Sequence, residues 1–592
     1  MPVREPLLLG VAYDVVCNIG SADTRSISSG DTAVFPRQLL PDGTLPLRAV
    51  LHVEGSRHVS TREFRLHAAG DTMWMRLPLP VLPSEGTIRA ELAIYFEAVV
   101  IHVQELSIPV GGGSTRGGPA SHLLYRLSGS LTKFGKLQNR SVSIVSTRGV
   151  ATSHVLVNGI GFAPNSFMIS DNAADAAVRD ARTQLYDIHF HGRGGKDINN
   201  YRNKDAGGVR RHGKPHDEFA SDLAALAYQG RRAYLSLFEL QEGHIAATLP
   251  QLLRSEAMGR HRAPIIQAID LGTRQAPVPW ALLYDLPLGS DLAAYEVCPA
   301  LAEYGPGGNT EGKPPPICPW ENLHRSADGR WKANQLCPWG FWGLSTIIET
   351  PPHVPDRDLE SVVTATPLRV ALLVAVDPDL DVDLSDEHIE SLERDITPAF
   401  LNSPPISDAN ELGAALSDPK MDVVYLYCHA GYGHSTATTR LEPFLSLGST
   451  RLSPIDIDNW AETNWPDPHW PDRHPLVVLN GCHTTEATTG TLANFVNEFT
   501  AKAGASGVLG TEITLEQGIA GWAMQLFLSK IVQGETVGAA LRETRWDMLR
   551  RGNLMGLAYT PFCLAVLSVR RDSREVSGPW TSSQSEYSAS DF

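Results

Sequence analysis

Apolar residues in the first hundred positions recur at every second place. LPLRAVLHVEG (45–55), REFRLHA (62–68), TMWMRLPL (72–79) and IRAELAIYFEAVVIHVQEL (88–106) alternate as half-buried strands do, with turn residues between them. Regular spacing of such runs predicts an all-β, sandwich-like module over 1–110. VGGGSTRGGPAS (110–121) has the composition of a flexible linker. HLLYRL, RSVSIVS and SHVLVNGIGF then add short strands, so 111–175 reads as a linker and a small β-rich connector.

After about residue 175 the period lengthens. DNAADAAVRDARTQLYDIHF and HDEFASDLAALAYQGRRAYLSLFE have helical spacing and acidic first turns, and APIIQAID (263–270) is an apolar strand. Residues 298–356 are rich in Pro, Trp and Gly and read as an insertion. From 368 onward strands and helices alternate. LRVALLVAVD, MDVVYLYCH, PLVVLNGC and ASGVLGTE are continuous apolar runs, and YTPFCLAVLSV is the closing strand. SDEHIESLERDITPAF, TTGTLANFVNEFTAKA, EQGIAGWAMQLFLSKIVQG and TVGAALRETRWDMLRRG are the intervening helices. Unalternated strands separated by helices predict an α/β domain with a mostly parallel sheet covered on both faces. The domain is expected to span 176–572, as an N-terminal half (176–367) and a second half (368–572), followed by a tail of disordered composition at 573–592.

Composition adds limits. With 592 residues, 42% hydrophobic and 20% charged, the chain supplies several cores. Its formal charge of −16 weighs against nucleic acid and against insertion at an anionic membrane. The first residues, MPVREPLLLGVAYDVV, lack a basic start and a small-residue cleavage site, and no run approaches 18 apolar residues. Seven scattered cysteines suit a reducing compartment, so a cytoplasmic protein is expected.

In open α/β sheets, chemistry collects at the carboxyl ends of the strands. Three strands here end in Asp377, in Cys428-His429, and in Asn480-Gly481-Cys482-His483. His429 and Cys482 are 482 − 429 = 53 residues apart, each just past a strand. If those strands are neighbours, an imidazole and a thiol meet at one edge of the sheet. A thiol is mostly protonated at neutral pH, so it needs such a base. Gly431 and Gly433 are expected to let the backbone turn tightly after the histidine, and Gly431 with Cys482 to offer N–H groups to an oxyanion. Against this stands the plainer reading, in which a strand-end cysteine is a small hydrophobe and a strand-end histidine a hydrogen-bonded structural residue. Cys428 fits the plainer reading, because strand neighbours face opposite sides. His434 and His483 read as loop or helix-start residues.

These residues also carry a family resemblance. VVYLYCHAGYGH resembles the histidine strand end of CHAT domains, caspase-like cysteine peptidases of bacteria, and LVVLNGCHT resembles their nucleophile strand. VPWALLYD is similar to a Pro-Trp-Glu segment of the family, with Ala281 in place of the glutamate, and a Gly precedes Cys482 where Ala is commoner. The resemblance covers roughly 180–570 and implies a His429/Cys482 dyad hydrolysing peptide bonds through a thioester, with no cofactor and no catalytic metal. By the same resemblance Asp377, Asn480 and Glu512 would line the substrate pocket. Asp377 and Glu512 would attract a basic side chain, and neutral Asn480 suits an uncharged one. The family context implies a regulated protease acting on a protein partner in antiviral defence or cell death, a gasdermin-like protein being one such substrate. The N-terminal β module would receive an activating partner. Two other readings stay open: an inactive caspase-like scaffold, and a different thiol hydrolase or acyltransferase.

The insertion poses a separate question. Cys298, Cys318 and Cys337 each precede a proline, and His324 lies between the last two. Three cysteines and a histidine can close a tetrahedral zinc site, but no Cys-x-x-Cys pair is present. Structural cysteines in an aromatic-rich loop are the favoured account.

Overall fold

The computed structural model describes residues 5–571, apart from short interruptions and the longer stretches 21–43 (except Ile27), 112–117, 128–136, 191–211, 239–244, 272–276, 354–361, 435–440 and 482–494. Most of the glycine-rich linker, Cys482, His483 and the 573–592 tail therefore lie outside the described residues.

Five strands, β1 (Thr44–Val53), β2 (Val59–His67), β3 (Gly86–Phe96), β4 (Val99–Val110) and β5 (Ala120–Arg126), form an antiparallel sheet in the order β2-β1-β3-β4-β5. Its strands alternate as the sequence does. Its apolar face takes into its core Leu77 of a two-stranded antiparallel pair, Asp14–Cys17 with Met75–Pro78. It packs on a second sheet made of β6 (Arg140–Arg148), β7 (Thr152–Gly159), β8 (Phe162–Ser170), β9 (Ile265–Asp270) and β10 (Ile347–Glu349), in the order β8-β7-β6-β9-β10. Leu47, Ala49 and Leu51 of the first sheet share one core with Val145, Leu156 and Ile269 of the second.

This corrects the expected boundaries. The 111–175 segment is not a connector. Its first strand completes the N-terminal sheet, and its next three join the second sheet, where β6 pairs in parallel with β9 of the following half. Short alternating strands do not reveal which sheet they join, because long-range pairing decides that. A buried pair holds the second sheet together: Arg140 Nε and Nη2 donate to Glu349 at 2.9 and 2.7 Å. The opposite face of this sheet is covered by α1 (Asp171–Phe190) and α2 (His216–Phe238), with α3 (Ile245–Arg260) beyond.

The second half is built as the apolar runs predict. β11 (Ala371–Val376), β12 (Val423–Tyr427), β13 (Leu476–Asn480) and β14 (Gly507–Thr511) are parallel neighbours, with the short strand Ala399–Phe400 on one edge. β15 (Tyr559–Cys563) closes the other edge antiparallel, and Gly507 lets it approach so closely that an added Cβ would sit 2.2 Å from that of Cys563. Strand residues alternate between two cores. Tyr425, Val478 and Leu509 face α4 (Val382–Ile396), α5 (Gln517–Val532) and α6 (Val537–Arg550). Val424, Leu426, Cys428 and Leu479 face the other layer, which includes helices Ala409–Leu416 and Pro454–Thr463. The helix starts are capped: Glu516 accepts from the Ile519 N–H, and Ser453 with Asp456 forms a capping box.

The two halves are joined through α6. Arg542 donates to the carbonyls of Leu344 and Pro315 at 2.8 Å, Arg545 Nη1 to Gly343 at 3.2 Å, and Trp546 Nε1 to Leu344 at 2.9 Å. Among the described residues no helix is long and apolar enough to cross a membrane.

Candidate active site

β11, β12 and β13 are adjacent and parallel, so their carboxyl ends share one edge of the sheet. Within the β12–β13 pair, Tyr427 lies opposite Asn480. His429 follows two residues after Tyr427 and is exposed. Cys428, between them, is 4% exposed and sits in the core, facing away from the edge.

The backbone at His429 is held by Asp377. One carboxylate oxygen of Asp377 accepts from the His429 N–H at 3.3 Å, and the other from the N–H groups of Asp379 (3.2 Å) and Gly448 (3.0 Å). Asp377 is 1% exposed, with its own N–H donated to the Tyr427 carbonyl. It therefore holds the backbone at the histidine, and both of its oxygens accept backbone N–H groups.

After His429 the chain enters a small antiparallel sheet, Ala430–His434, Leu441–Leu447 and Thr450–Leu452. Its first link is the Ser446 N–H donating to the His429 carbonyl at 2.8 Å. Gly431 and Gly433 are extended strand residues opposite Phe444 and Glu442, and the expected tight turn is absent. Gly433 instead makes room for a stack: a Cβ there would meet Arg451 Nη1 at 2.9 Å and the Phe444 ring at 3.2 Å, where the guanidinium lies over the ring.

Asn480 is also buried, and both ends of its amide are engaged. Nδ2 donates to Tyr425 Oη (2.8 Å) and the Ala520 carbonyl (3.1 Å), and Oδ1 accepts from Tyr559 Oη (3.0 Å). Tyr425 Oη lies 2.8 Å from His388 Nε2, and Tyr427 Oη donates to the Gln517 carbonyl. The network ties β12, β13 and β15 to α4 and α5 directly beneath the strand ends. Burial pushes His388 down to about 3, so it is neutral at pH 7.

The sign of its pH effect follows. The unfolded histidine takes a proton below about pH 6.5 and the folded one does not. Stability is therefore complete above that pH and falls as pH drops toward 3. At pH 5 the loss is expected to be about 2 kcal/mol. Denaturant midpoints at pH 7 and 5 measure it, and His388→Gln is expected to flatten the difference. An equal slope in that variant would assign the effect elsewhere.

Glu512, one residue beyond β14, is 1% exposed and pairs with Arg182 of α1 at 2.7 Å. Its other oxygen accepts from Thr560 Oγ1. Like Asp377 and Asn480 it is engaged inside the protein, because a buried carboxylate requires a partner. The sequence selected these three positions but could not tell a pocket wall from a support. Gly481 is the last described residue of its strand end, and its carbonyl accepts from Thr511 Oγ1.

The His388–Tyr425–Asn480–Tyr559 network was missed from sequence. Its signal was present in the Tyr-x-Tyr spacing of the strand, which places both hydroxyls on one face.

Parts of the chain are similar to known proteins. Residues 385–563 match the CHAT domain model. A probable protease of Vitiosangium sp. (strain GDMCC 1.1324) is 28% identical over 529 residues, covering 84% of this chain. The chain spans 64% of the length of that relative. Among solved structures, the Arg-specific cysteine proteinase gingipain R aligns over 60% of this chain and 77% of its own, at 11% identity and a TM-score of 0.31. The Saccharomyces cerevisiae separase in its securin complex aligns over 72% and 30%, at 9% identity and a TM-score of 0.34. The segment that resembles the CHAT domain, residues 385–563, includes β12, β13, β14 and β15.

Proposed function

We propose that the chain is a caspase-like cysteine endopeptidase in which Cys482 is the nucleophile and His429 its base. The observation that carries this reading is the register of the two central strands. Tyr427 and Asn480 are paired, and His429 and Cys482 each follow their strand's paired residue by two positions. The match to the CHAT domain and the relative named as a probable protease support it.

In the proposed reaction His429 takes the proton of the Cys482 thiol as sulfur attacks the scissile carbonyl. The tetrahedral oxyanion would be held by backbone N–H groups at Cys482 and near Gly431. Collapse breaks the C–N bond, His429 returns the proton to the leaving amine, and a thioester remains. Water, deprotonated by His429, then hydrolyses the thioester and restores the thiol. Asp377 positions the histidine through its backbone.

Asp377 and Glu512 have their carboxylates engaged internally. An uncharged residue before the scissile bond is therefore better supported than a basic one. A cytoplasmic protease with a protein substrate, regulated through the N-terminal sheet in a defence or cell-death pathway, is the setting that the family resemblance supplies. A gasdermin-like substrate belongs to that setting.

A peptide library incubated with the purified full chain tests the activity. Cleavage at a defined residue, with covalent labelling of Cys482 by a peptide electrophile of the same sequence, is expected. A folded chain that labels at Cys482 with acyl-thioester substrates but cuts no peptide would favour an acyltransferase instead.

A further inference from the structure

Residues 298–337 carry little regular structure: a two-residue parallel strand pair (Glu296–Val297 with Gln335–Leu336), a helix over Ala300–Tyr304 and one 3-10 turn over Glu321–His324. Segments of this length without elements of their own need another source of order. Four side chains converge inside it. Cys298 and Cys337 each follow one of the paired strands, His324 closes the 3-10 turn, and Cys318 precedes that turn. Their exposures are 1%, 0%, 2% and 3%, respectively for Cys298, Cys337, His324 and Cys318.

The spacing of their donor atoms is that of a coordination shell. Cys298 Sγ lies 3.6 Å from Cys318 Sγ and 3.1 Å from His324 Nε2. Cys318 Sγ lies 3.9 Å from His324 Nε2. All four donor atoms, with Cys337 Sγ, lie within 4.8 Å of one another. A tetrahedral zinc with ordinary Zn–S and Zn–N bonds has edges of about 3.8 Å between sulfurs and about 3.6 Å between sulfur and nitrogen. The sulfurs are well beyond the roughly 2.05 Å of a disulfide, and three cysteines cannot all pair. The Trp320 N–H points at Cys318 Sγ from 3.4 Å, the kind of outer donor that stabilises a bound thiolate.

We propose that Cys298, Cys318, His324 and Cys337 bind one structural zinc ion. Four protein ligands fill the tetrahedron and leave no open position, so the ion crosslinks the insertion and takes no part in the reaction. Binding deprotonates the three thiols, releases their protons and leaves His324 neutral, giving the site a net charge of −1. The ion orders the loop that α6 grips. Trp339, two residues past Cys337, packs on Trp546 at 4.3 Å and donates to the Pro315 carbonyl, which also accepts from Arg542. The absence of a Cys-x-x-Cys pair made this reading the weaker one from sequence. The fold replaces that motif with a strand pair that sets two cysteines side by side.

The test is the metal content of the full chain, prepared as Cys482→Ala so that the nucleophile contributes no thiol. One zinc per chain is expected by elemental analysis. Replacing zinc by cobalt is expected to give the visible bands of tetrahedral cobalt with a thiolate charge-transfer band. Cys318→Ser and His324→Asn are expected to lose zinc, and Cys428→Ser and Cys563→Ser to keep it. Should the ligand variants fail to fold, the metal content and cobalt spectrum of the parent chain still decide. Folded parent chain with less than about half an equivalent of zinc overturns the proposal. So do a cobalt spectrum without thiolate character and native alkylation of all three cysteines.

Discussion

A Cys482→Ala variant is expected to cleave no peptide that the parent chain cleaves, and His429→Ala to lose about 10²–10⁴-fold in kcat/KM. The two losses differ for a physical reason. Without the sulfur there is no atom to form the thioester. Without the imidazole the thiol still ionises, only at higher pH. His429→Ala should therefore recover some rate as pH rises toward the thiol's own ionisation, whereas Cys482→Ala should recover none. A fluorogenic peptide taken from the library, assayed from pH 6 to 10, measures both. Because the pair acts as a unit, the double variant should be no worse than Cys482→Ala. Unchanged cleavage by Cys482→Ala would reject the dyad. His429 is exposed and outside the core, so its loss should leave the unfolding midpoint almost unchanged and keep the two effects separable.

Glu349→Ala is expected to cost about 3–5 kcal/mol of stability. Arg140 and Glu349 have no side-chain exposure, and the Nε and Nη2 of the guanidinium both donate to this carboxylate. Removing it deprives a buried cation of its carboxylate, and it also strips the acceptor from the Ala565 N–H at 2.7 Å. Replacing both partners with apolar residues, Arg140→Met with Glu349→Leu, should restore much of the loss, because a buried pair is costly to break and cheap to exchange. Urea midpoints of the three chains decide the matter. A single variant within 1 kcal/mol of the parent would show that the site admits water or an alternative anion.

How much of this was legible beforehand depended on how local each signal was. The parallel sheet could be read because LRVALLVAVD, VVYLY and LVVLN are apolar on both faces. The strand-end histidine and cysteine followed from that, since parallel topology dictates which ends carry chemistry. The roles of Asp377, Asn480 and Glu512 could not be read. Each is polar at a strand end, and only the three-dimensional structure shows that each already makes hydrogen bonds inside the protein. Gly431 and Gly433 misled, because a glycine-rich stretch after a strand has the same composition whether it turns or continues extended beside an aromatic residue. Strands 140–170 read locally as a connector because the pairing of Arg140–Arg148 with Ile265–Asp270, over a hundred residues later, leaves no local trace. The cysteine cluster was visible as composition but not as geometry.

The grip of α6 on the first half bears on what can be cut from this chain. The family model begins at 385, and a fragment chosen on that basis would take α6 with it and leave behind the carbonyls of 314–315 and 343–344. Arg542 and Arg545 would keep their positive charge while losing those acceptors, and Glu512 would lose the guanidinium of Arg182. The cooperative folding unit is thus larger than the segment that matches the family model, because α6 inside that segment is held by carbonyls outside it.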